Sequence, residues 1–382
     1  MKTPLAWLQL IHERSRLLIA LAGIGFADML MFIQLGFQTA LFDSSVTLHK
    51  AIEGDVFLMS PQSDYMGFTE TFSERRLYES LAIEQVESVL PLYLSYGSWK
   101  NPIERNTRTI FTIAFNPAKK PLNLPGVAEN IDRVKLPDVV LFDAKSREEY
   151  GAIPDLLQNN KAVTAELSSR KVSVGGLFSL GASFTADGNI ITSDTNFLRL
   201  FPEREKGLID VGIINLKPGA NLQLALANIR NKLPNDVRVF SKEEFIQAEI
   251  AYWRNTTAIG FIFALGTAIG FVVGTVIVYQ ILYTDVANHL PEYATLKAMG
   301  YKDRYFVVLV FQEAIILAVL GFMPGYLIAT GLYSLAAGAT ALPLAMTASR
   351  ATIVLILTIA MCCVSGSVAV RKLNAADPAD IF

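Results

Sequence analysis

Two carboxyl groups lie in apolar segments, where a charged side chain is energetically unfavourable. Asp28 and Glu313 are the only charged residues within four long apolar stretches of the 382-residue chain. A carboxyl group at the centre of a membrane-spanning helix costs about 2.5–3.5 kcal/mol on insertion scales, so it is a candidate for substrate contact or proton transfer. A carboxyl that is hydrogen-bonded to a neighbouring helix would instead serve packing. We favour packing at a dimer seam for Asp28 and a structural contact for Glu313.

Two glutamines in the first apolar stretch have helical spacing. Gln34 and Gln38 are four residues apart and therefore share one helix face. Asp28 lies about 120° from Gln34 around the same helix. The three polar residues are therefore not expected to form one continuous stripe.

Small residues at regular spacing predict close helix packing in the second and third apolar stretches. The second stretch contains Gly266, Gly270 and Gly274. In lipid, this four-residue spacing lets two helix backbones approach closely, either within one chain or across a dimer. We favour packing on the first span. In the third stretch, a kink is predicted at Pro324, which stands between Gly321 and Gly325.

The sequence contains no common signature of catalysis. It has no G-x-x-x-x-G-K-[ST], G-x-S-x-G, H-E-x-x-H, G-x-G-x-x-G or C-x-x-C motif. Its two cysteines, Cys362 and Cys363, are adjacent in an apolar run, and its three histidines are far apart, so a metal site is not expected. We predict a non-catalytic chain without a cofactor of its own. Because no block of Lys and Arg is present, nucleic acid is not an expected partner.

Charged residues are distributed unevenly along the chain. Residues 43–255 include 51 charged residues among 213, an ordinary soluble composition, whereas the other 169 residues include 17. A bilayer span needs about 20 apolar residues. Four stretches meet that length: Leu17–Phe42, Thr256–Tyr283, Tyr305–Gly338 and Ala351–Val370. The sequence therefore predicts four transmembrane helices, with a large soluble domain inserted between the first and second.

Basic residues beside the spans predict their orientation. Eight Lys or Arg residues lie in the N-terminal stretch, loop 284–304 and the tail, against Arg350 alone before the fourth span. The excess of basic residues on cytoplasmic flanks places both termini and loop 284–304 in the cytoplasm. Residues 43–255 then face the periplasm, and we predict a multi-pass protein of the inner membrane.

The predicted organisation has nine consecutive parts. In order they are a cytoplasmic N-terminal helix (1–16), the first span with a stalk (17–53), a periplasmic α+β domain with a central insertion at about 116–190 (54–241), a stalk with the second span (242–283), a cytoplasmic loop (284–304), the third span (305–332), a periplasmic connection (333–350), the fourth span (351–370) and a cytoplasmic tail (371–382). Alternating residues predict strands in the domain at Val86–Trp99 and Thr107–Phe115.

Two predicted helices are longer than the membrane is thick. Uninterrupted helices over 17–53 and 242–283 would measure about 55 and 60 Å, against a hydrocarbon core of about 30 Å. Ser241 and Glu244 have the spacing of a capping box, which predicts the start of the second helix. The surplus length predicts a helical stalk beneath the periplasmic domain. A break near the interface, giving separate short helices, is the alternative.

Loop 284–304 contains a short predicted helix. Pro291 suits a first helical turn, Glu292–Met299 are helix formers, and Gly300 suits a C-cap. A helix between two spans would act as a lever, because a protein that pushes on it would tilt both spans. A plain cytoplasmic turn is the alternative.

Loop 284–304, parts of the spans and the C-terminal end resemble segments of a known protein family. The candidate coupling residues resemble the coupling helix of the MacB/FtsX (type VII) superfamily of ABC permeases; they are Pro291, Glu292, Tyr293, Ala294, Thr295, Leu296, Lys297, Ala298, Met299 and Gly300. Gln312–Ile316 followed by Gly321–Gly325 resembles the family's third span, and Asp377–Ile381 its C-terminal end. Phe26–Phe37 and Tyr283–Gly300 are similar to DevC-type permeases of cyanobacteria.

The resemblance implies a mechanism and a set of partners. Such permeases form homodimers, and a separate ABC ATPase, which binds the ATP and Mg²⁺, contacts the coupling helix. ATP-driven closure is transmitted to the periplasmic domain, an action called mechanotransmission. In the DevC type, a periplasmic membrane-fusion protein and a TolC-like outer-membrane tunnel complete the pump. The cargo implied by this resemblance is a membrane lipid, a glycolipid of the cell envelope.

Two other functions are compatible with the sequence. An FtsX-like signalling permease would regulate a periplasmic peptidoglycan hydrolase without moving cargo. The inserted domain is larger than the compact domain usual in such regulators, which favours the exporter. A membrane-anchored envelope enzyme would need a catalytic site within residues 43–255, and no motif there indicates one.

Overall fold

The computed structural model describes residues 7, 10, 12, 14–159, 161–340 and 342–375. It consists of two compact units, one formed by the residues up to Ala40 and from Ala258 onward, the other by Leu41–Thr257. The predicted N-terminal helix (1–16) and the resemblance at Asp377–Ile381 lie largely or wholly outside the described residues.

Four helices among the described residues are long and apolar enough to cross a membrane. They are span 1 (Arg14–Ser45), span 2 (Ala258–Asn288), span 3 (Asp303–Thr340) and span 4 (Ala348–Ala375). A nine-residue helix, Leu290–Ala298, stands between spans 2 and 3. The predicted fold class, four spans with a large α/β domain between the first two, is confirmed.

Neither long helix is uninterrupted, so both predictions of a continuous helix are wrong. Span 1 ends at Ser45, and a separate helix, Thr47–Ala51, follows Val46. The hydroxyl groups of Ser44 and Ser45 donate to carbonyls three residues earlier, which competes with regular helix hydrogen bonding.

The second long segment breaks just before span 2. Helix Lys242–Ala251 begins at the predicted Ser241–Glu244 capping box, which is present, and continues into a π-helical turn, Tyr252–Thr256. Thr257 then adopts an extended conformation, with φ −99° and ψ 157°. Its hydroxyl donates to the carbonyl of Trp253 at 2.7 Å, which stabilises the break.

The described residues of the inserted unit form eleven strands: β1 Val56–Met59, β2 Phe72–Ser73, β3 Val86–Lys100, β4 Thr107–Phe115, β5 Val139–Asp143, β6 Thr164–Leu167, β7 Arg170–Phe178, β8 Asn189–Ser193, β9 Leu208–Ile209, β10 Val211–Leu216 and β11 Arg238–Ser241. Nine of them form one sheet with the order β11-β1-β10-β3-β4-β8-β5-β7-β6. Strands β2 and β9 form a separate pair.

The long strand β3 joins two parts of this sheet. Its first half pairs with β10, its second half with β4, and its last residues with β6. The β3–β6 pairing closes β3, β4, β8, β5, β7 and β6 into a ring. The predicted insertion at about 116–190 supplies β5, β6 and β7, so it shares a sheet with its flanking segments and does not stand apart from them.

Short helices cover the sheet and complete two hydrophobic cores, one on each face. The α-helices of this unit are Thr47–Ala51, Glu74–Glu79, Val127–Asn130, Ile153–Gln158, Asp194–Leu200, Leu222–Lys232 and Lys242–Ala251. The 3₁₀ turns are Ser80–Ala82, Ile131–Lys135 and Glu148–Tyr150.

A buried ion pair links the two-stranded sheet to β3. Asp210 is fully buried and accepts hydrogen bonds from Arg204 at 2.5 Å, from the backbone N–H of Leu94 at 2.8 Å and from the hydroxyl of Thr69 at 2.8 Å. Burial raises the pKa of Asp210, and the guanidinium of Arg204 opposes that rise. Removing Arg204 would leave a buried carboxyl without its counter-ion.

We therefore expect Arg204→Met to lower the free energy of unfolding by about 3 kcal/mol near neutral pH. Without the guanidinium, burial raises the folded-state pKa of Asp210 further, so the loss should be small in acid and grow as pH rises through the already raised pKa of this carboxyl in the wild type. Thermal unfolding of the full chain in detergent measures the effect. Arg199→Met is the control, since Arg199 pairs with the more exposed Asp138. Equal losses in both variants would contradict the prediction.

Candidate coupling site and membrane core

The short helix predicted in loop 284–304, the candidate coupling helix, is present as Leu290–Ala298, with Pro291 in its first turn. Met299 is its C-cap residue, and Gly300 follows with φ 96°, a left-handed conformation that favours glycine. Lys297 forms an ion pair with Asp303 at 3.0 Å, across the connection to span 3. The helix is therefore held at both ends by short connections.

One face of the coupling helix is packed against the spans. Tyr293 and Ala294 are buried, and the Tyr293 ring lies 5.4 Å from the ring of Phe306 at the start of span 3. Tyr293 and Phe306 belong to a cluster that also contains Val286 of span 2 and Val370 of span 4. Movement of the coupling helix would therefore displace the ends of three spans.

The opposite face of the coupling helix is open to solvent. Its exposed residues form the coupling stripe: Pro291, Glu292, Thr295, Ala298 and Met299. Steps of three and four residues place them on one side of the helix. The Met299 side chain is 65% exposed. Leu296 and Lys297 are half-buried at the edge of the stripe.

A polar cluster lies among the ends of spans 1, 2 and 3. The Arg16 guanidinium of span 1 lies 3.5 Å from the Asp285 carboxylate of span 2, and the His289 ring contacts the carbonyl of Asp285 at 3.0 Å. Glu313 of span 3 is fully buried and interacts with Asp285. Glu313 thus takes part in contacts between helices. The sequence analysis predicted no contact between Arg16 and Asp285, although each is a charge beside an apolar stretch.

Asp28 lies at the meeting point of spans 1, 3 and 4. It is fully buried within the chain, and the hydroxyl of Thr358 in span 4 donates to it at 2.6 Å. A Cβ added at Gly325 of span 3 would lie 2.7 Å from the Asp28 Cβ. Because Asp28 packs inside one chain, the expectation that it lies at a dimer seam is wrong.

The three glycines of span 2 face span 1. A Cβ added at Gly266 would lie 2.5 Å from Gln34, one at Gly270 would lie 3.1 Å from Met31, and one at Gly274 would lie 2.8 Å from Ala27. Gln38, one turn beyond Gln34, is half-buried. The spacing of the glycines therefore positions span 2 against span 1 within the chain.

Span 3 also approaches span 1 through small residues, and it continues as one helix through Pro324. A Cβ added at Gly321 would lie 2.6 Å from Ile24, and one at Gly325 would lie 2.9 Å from the carbonyl oxygen of Gly25. Farther along span 3, the hydroxyl of Tyr333 donates to the carbonyl of Phe32. Arg350, at the start of span 4, lies over the Tyr333 ring at 5.2 Å.

One family model matches the part of the chain that contains spans 2, 3 and 4. Residues 261–378 match the family described as FtsX-like permease C-terminal. No curated protein sequence matches the chain.

Solved structures that are similar to part of this chain include two domains of other proteins. The periplasmic region of MacB from Actinobacillus actinomycetemcomitans has a TM-score of 0.37 and 13% identity, over 54% of this chain and 95% of that chain. The extracellular domain of the noncanonic ABC-type transporter YknZ from Gram-positive bacteria has a TM-score of 0.34 and 9% identity, over 49% of this chain and 98% of that chain. No functional conclusion follows from likeness at this level.

The family match covers span 2, the coupling helix, span 3 and span 4. It thus includes the coupling stripe, the buried Glu313 and the glycines that face span 1. Residues 261–378, less than half of this chain of four candidate membrane spans, are therefore similar to the C-terminal part of FtsX-like permeases.

Proposed function

We propose that this chain is the permease subunit of an ATP-driven exporter that works by mechanotransmission. One observation carries the proposal: the coupling helix exposes a stripe to solvent on one face, while Tyr293 on the other face packs with the ends of three spans. A protein that pushes on the stripe would displace those ends together. Because the stripe lies in an FtsX-like permease domain, the expected partner is an ABC ATPase.

The proposed assembly is a homodimer of this chain with ATPase subunits in the cytoplasm. The ATPase binds ATP and Mg²⁺, and this chain binds neither. The excess of basic residues beside loop 284–304 supports a cytoplasmic position for the coupling stripe. The inserted unit, Leu41–Thr257, would then face the periplasm of an inner-membrane protein.

The proposed cargo is a glycolipid or another lipid of the envelope. This choice rests on the similarity of Phe26–Phe37 and Tyr283–Gly300 to DevC-type permeases. The same similarity supports a periplasmic membrane-fusion protein as a direct partner and a TolC-like tunnel as an indirect one. The alternative is a signalling permease that switches a peptidoglycan hydrolase, and the size of the inserted unit favours the exporter.

Affinity purification of the tagged chain in a mild detergent, with bound proteins identified by mass spectrometry, tests this proposal. We expect to recover an ATPase with a G-x-x-x-x-G-K-[ST] motif together with a coiled-coil membrane-fusion protein. Recovery of the ATPase with a peptidoglycan hydrolase instead would replace the exporter by the signalling function. Recovery without any ATPase would contradict both.

A further inference from the structure

A buried carboxyl group in span 3 has no hydrogen-bond donor beside it. Glu313 is fully buried, and neither of its carboxyl oxygens has a donor facing it in the part of the chain that the structure describes. The side chain with which it interacts, close enough for a hydrogen bond, is the carboxyl group of Asp285 in span 2. Two ionised carboxyl groups can only accept hydrogen bonds. A hydrogen on one of the two is therefore needed for them to lie together.

The charges around this pair indicate which of its members is ionised. The Arg16 guanidinium lies 3.5 Å from the carboxylate of Asp285, whereas no ion pair among the described residues includes Glu313. The His289 ring donates through Nδ1 to the backbone carbonyl of Asp285 at 3.0 Å and lies 3.7 Å from its carboxylate. Because a carbonyl oxygen accepts a hydrogen bond from a neutral imidazole, this contact needs no charge on His289. Asp285 is therefore the carboxylate, balanced by Arg16.

The other surroundings of Glu313 are apolar. Its neighbour Ala314 is fully buried in the core formed by the spans. Span 4 passes this level with Gly366, at which an added Cβ would lie 3.6 Å from the Ala314 side chain. The coupling helix contributes Tyr293 to the adjoining cluster, together with Val286 of span 2. A second carboxylate without a cation of its own is strongly unfavourable in such surroundings, and a neutral carboxyl group is much less so.

We propose that Glu313 holds a proton and donates a hydrogen bond through it to the carboxylate of Asp285. The two residues then form a proton-binding site that ties span 3 to span 2. His289, which contacts Asp285, is the N-cap residue of the coupling helix. Loss of the proton would bring two carboxylates into contact, and their repulsion would act beside the start of that helix. The proposal needs only the packing of the spans and stands separately from the proposed exporter function.

Infrared spectroscopy of the full chain in lipid nanodiscs tests the protonation of Glu313. A protonated carboxyl group has a C=O absorption separate from that of a carboxylate. Labelling the glutamate side chains with ¹³C shifts this absorption for a glutamate and leaves that of the buried Asp28 in place. The test variant is Glu313→Gln, because the amide N–H of glutamine can donate the same hydrogen bond to Asp285.

Glu249→Gln is the matched control. Glu249 and Glu313 are the two buried glutamates of the described residues. Unlike Glu313, Glu249 accepts hydrogen bonds on both carboxyl oxygens, from the indole N–H of Trp253 at 2.8 Å and from the backbone N–H of Met66 at 2.9 Å. Donors on both oxygens favour the ionised form, so Glu249 should not contribute to the absorption of protonated carboxyl groups.

At neutral pH we expect a glutamate-dependent absorption of a protonated carboxyl group in the wild type. Glu313→Gln should lose it completely, and Glu249→Gln should retain it. Raising the pH should abolish it in the wild type. As the pH rises towards that point, the unfolding temperature of the wild type should fall relative to that of Glu313→Gln, because the unfolded chain has by then released the proton that the folded chain still holds.

Two results would overturn the proposal: no glutamate-dependent absorption at neutral pH, or an absorption that Glu313→Gln retains. Should Glu313→Gln fail to fold, Glu249→Gln decides alone, since exposed glutamates are ionised at neutral pH. An absorption that persists in Glu249→Gln then belongs to Glu313 and supports the proposal, and one that disappears belongs to Glu249 and contradicts it.

Discussion

We expect a chain that carries both Glu292→Arg and Met299→Arg to stimulate the ATP turnover of its partner ATPase poorly. The stimulation should fall by about tenfold or more relative to the wild type. Both residues belong to the exposed coupling stripe, seven residues apart on one helix face. The change replaces a carboxylate and an apolar side chain by two cations, which would repel or misfit a surface that matches the native stripe. Neither side chain is buried, so the fold should be retained.

The measurement is the ATP turnover of the co-purified ATPase, with and without this chain, in nanodiscs. Glu84→Arg with Leu136→Arg is the matched control, because it makes the same two kinds of change at exposed positions of the inserted unit. Its stimulation should equal that of the wild type. If the stripe variant stimulates turnover as well as the control does, the coupling helix does not have the role proposed for it.

The largest expected loss of stability follows from placing a valine side chain at one glycine of span 3. At Gly325, a new Cβ would lie 2.7 Å from the Asp28 Cβ and 2.9 Å from the carbonyl oxygen of Gly25. Neither neighbour is the flexible end of a side chain, so spans 1 and 3 would have to separate. Gly325→Val should therefore cost about 3 kcal/mol or more, at the upper end of the range for overpacked cores.

Thermal unfolding in detergent, followed by loss of the monodisperse peak in size-exclusion chromatography, measures this cost. Gly331→Val and Gly338→Val are matched controls in the same helix, because no atom lies within 4 Å of a Cβ added at either position. They should unfold close to the wild-type temperature. A Gly325→Val chain as stable as these controls would show that the close contact with span 1 does not exist in the membrane.

The features that sequence predicted well are those set by local composition. The spans follow from the length of apolar runs without Lys or Arg, and the coupling helix follows from Pro291 and Gly300 around a run of helix formers. Strands β3 and β4 follow from the alternation of apolar and polar residues, which is typical of a strand with one buried face. The match of residues 261–378 to a permease family agrees with the family resemblance of Pro291–Gly300, Gln312–Ile316 and Gly321–Gly325.

The features that sequence missed depend on distant residues. Thr358 lies 330 positions from Asp28, whose carboxylate it contacts, and nothing in the sequence around either residue predicts this contact. The break at Thr257 follows from a side-chain hydrogen bond that competes with a helix which composition alone would continue. The rings of Tyr65, Phe184 and Trp253 likewise come together from three segments that are far apart in the sequence.

Closure of the strand ring determines how other polypeptides can add to the inserted unit. A strand with one unpaired side can accept a foreign strand, and the ring formed by β3, β4, β8, β5, β7 and β6 leaves little such opportunity. At the other end of this sheet, β11 pairs with β1 alone and offers only the four residues Arg238–Ser241. A polypeptide that extends this end of the sheet by β-augmentation therefore has only that short edge to pair with.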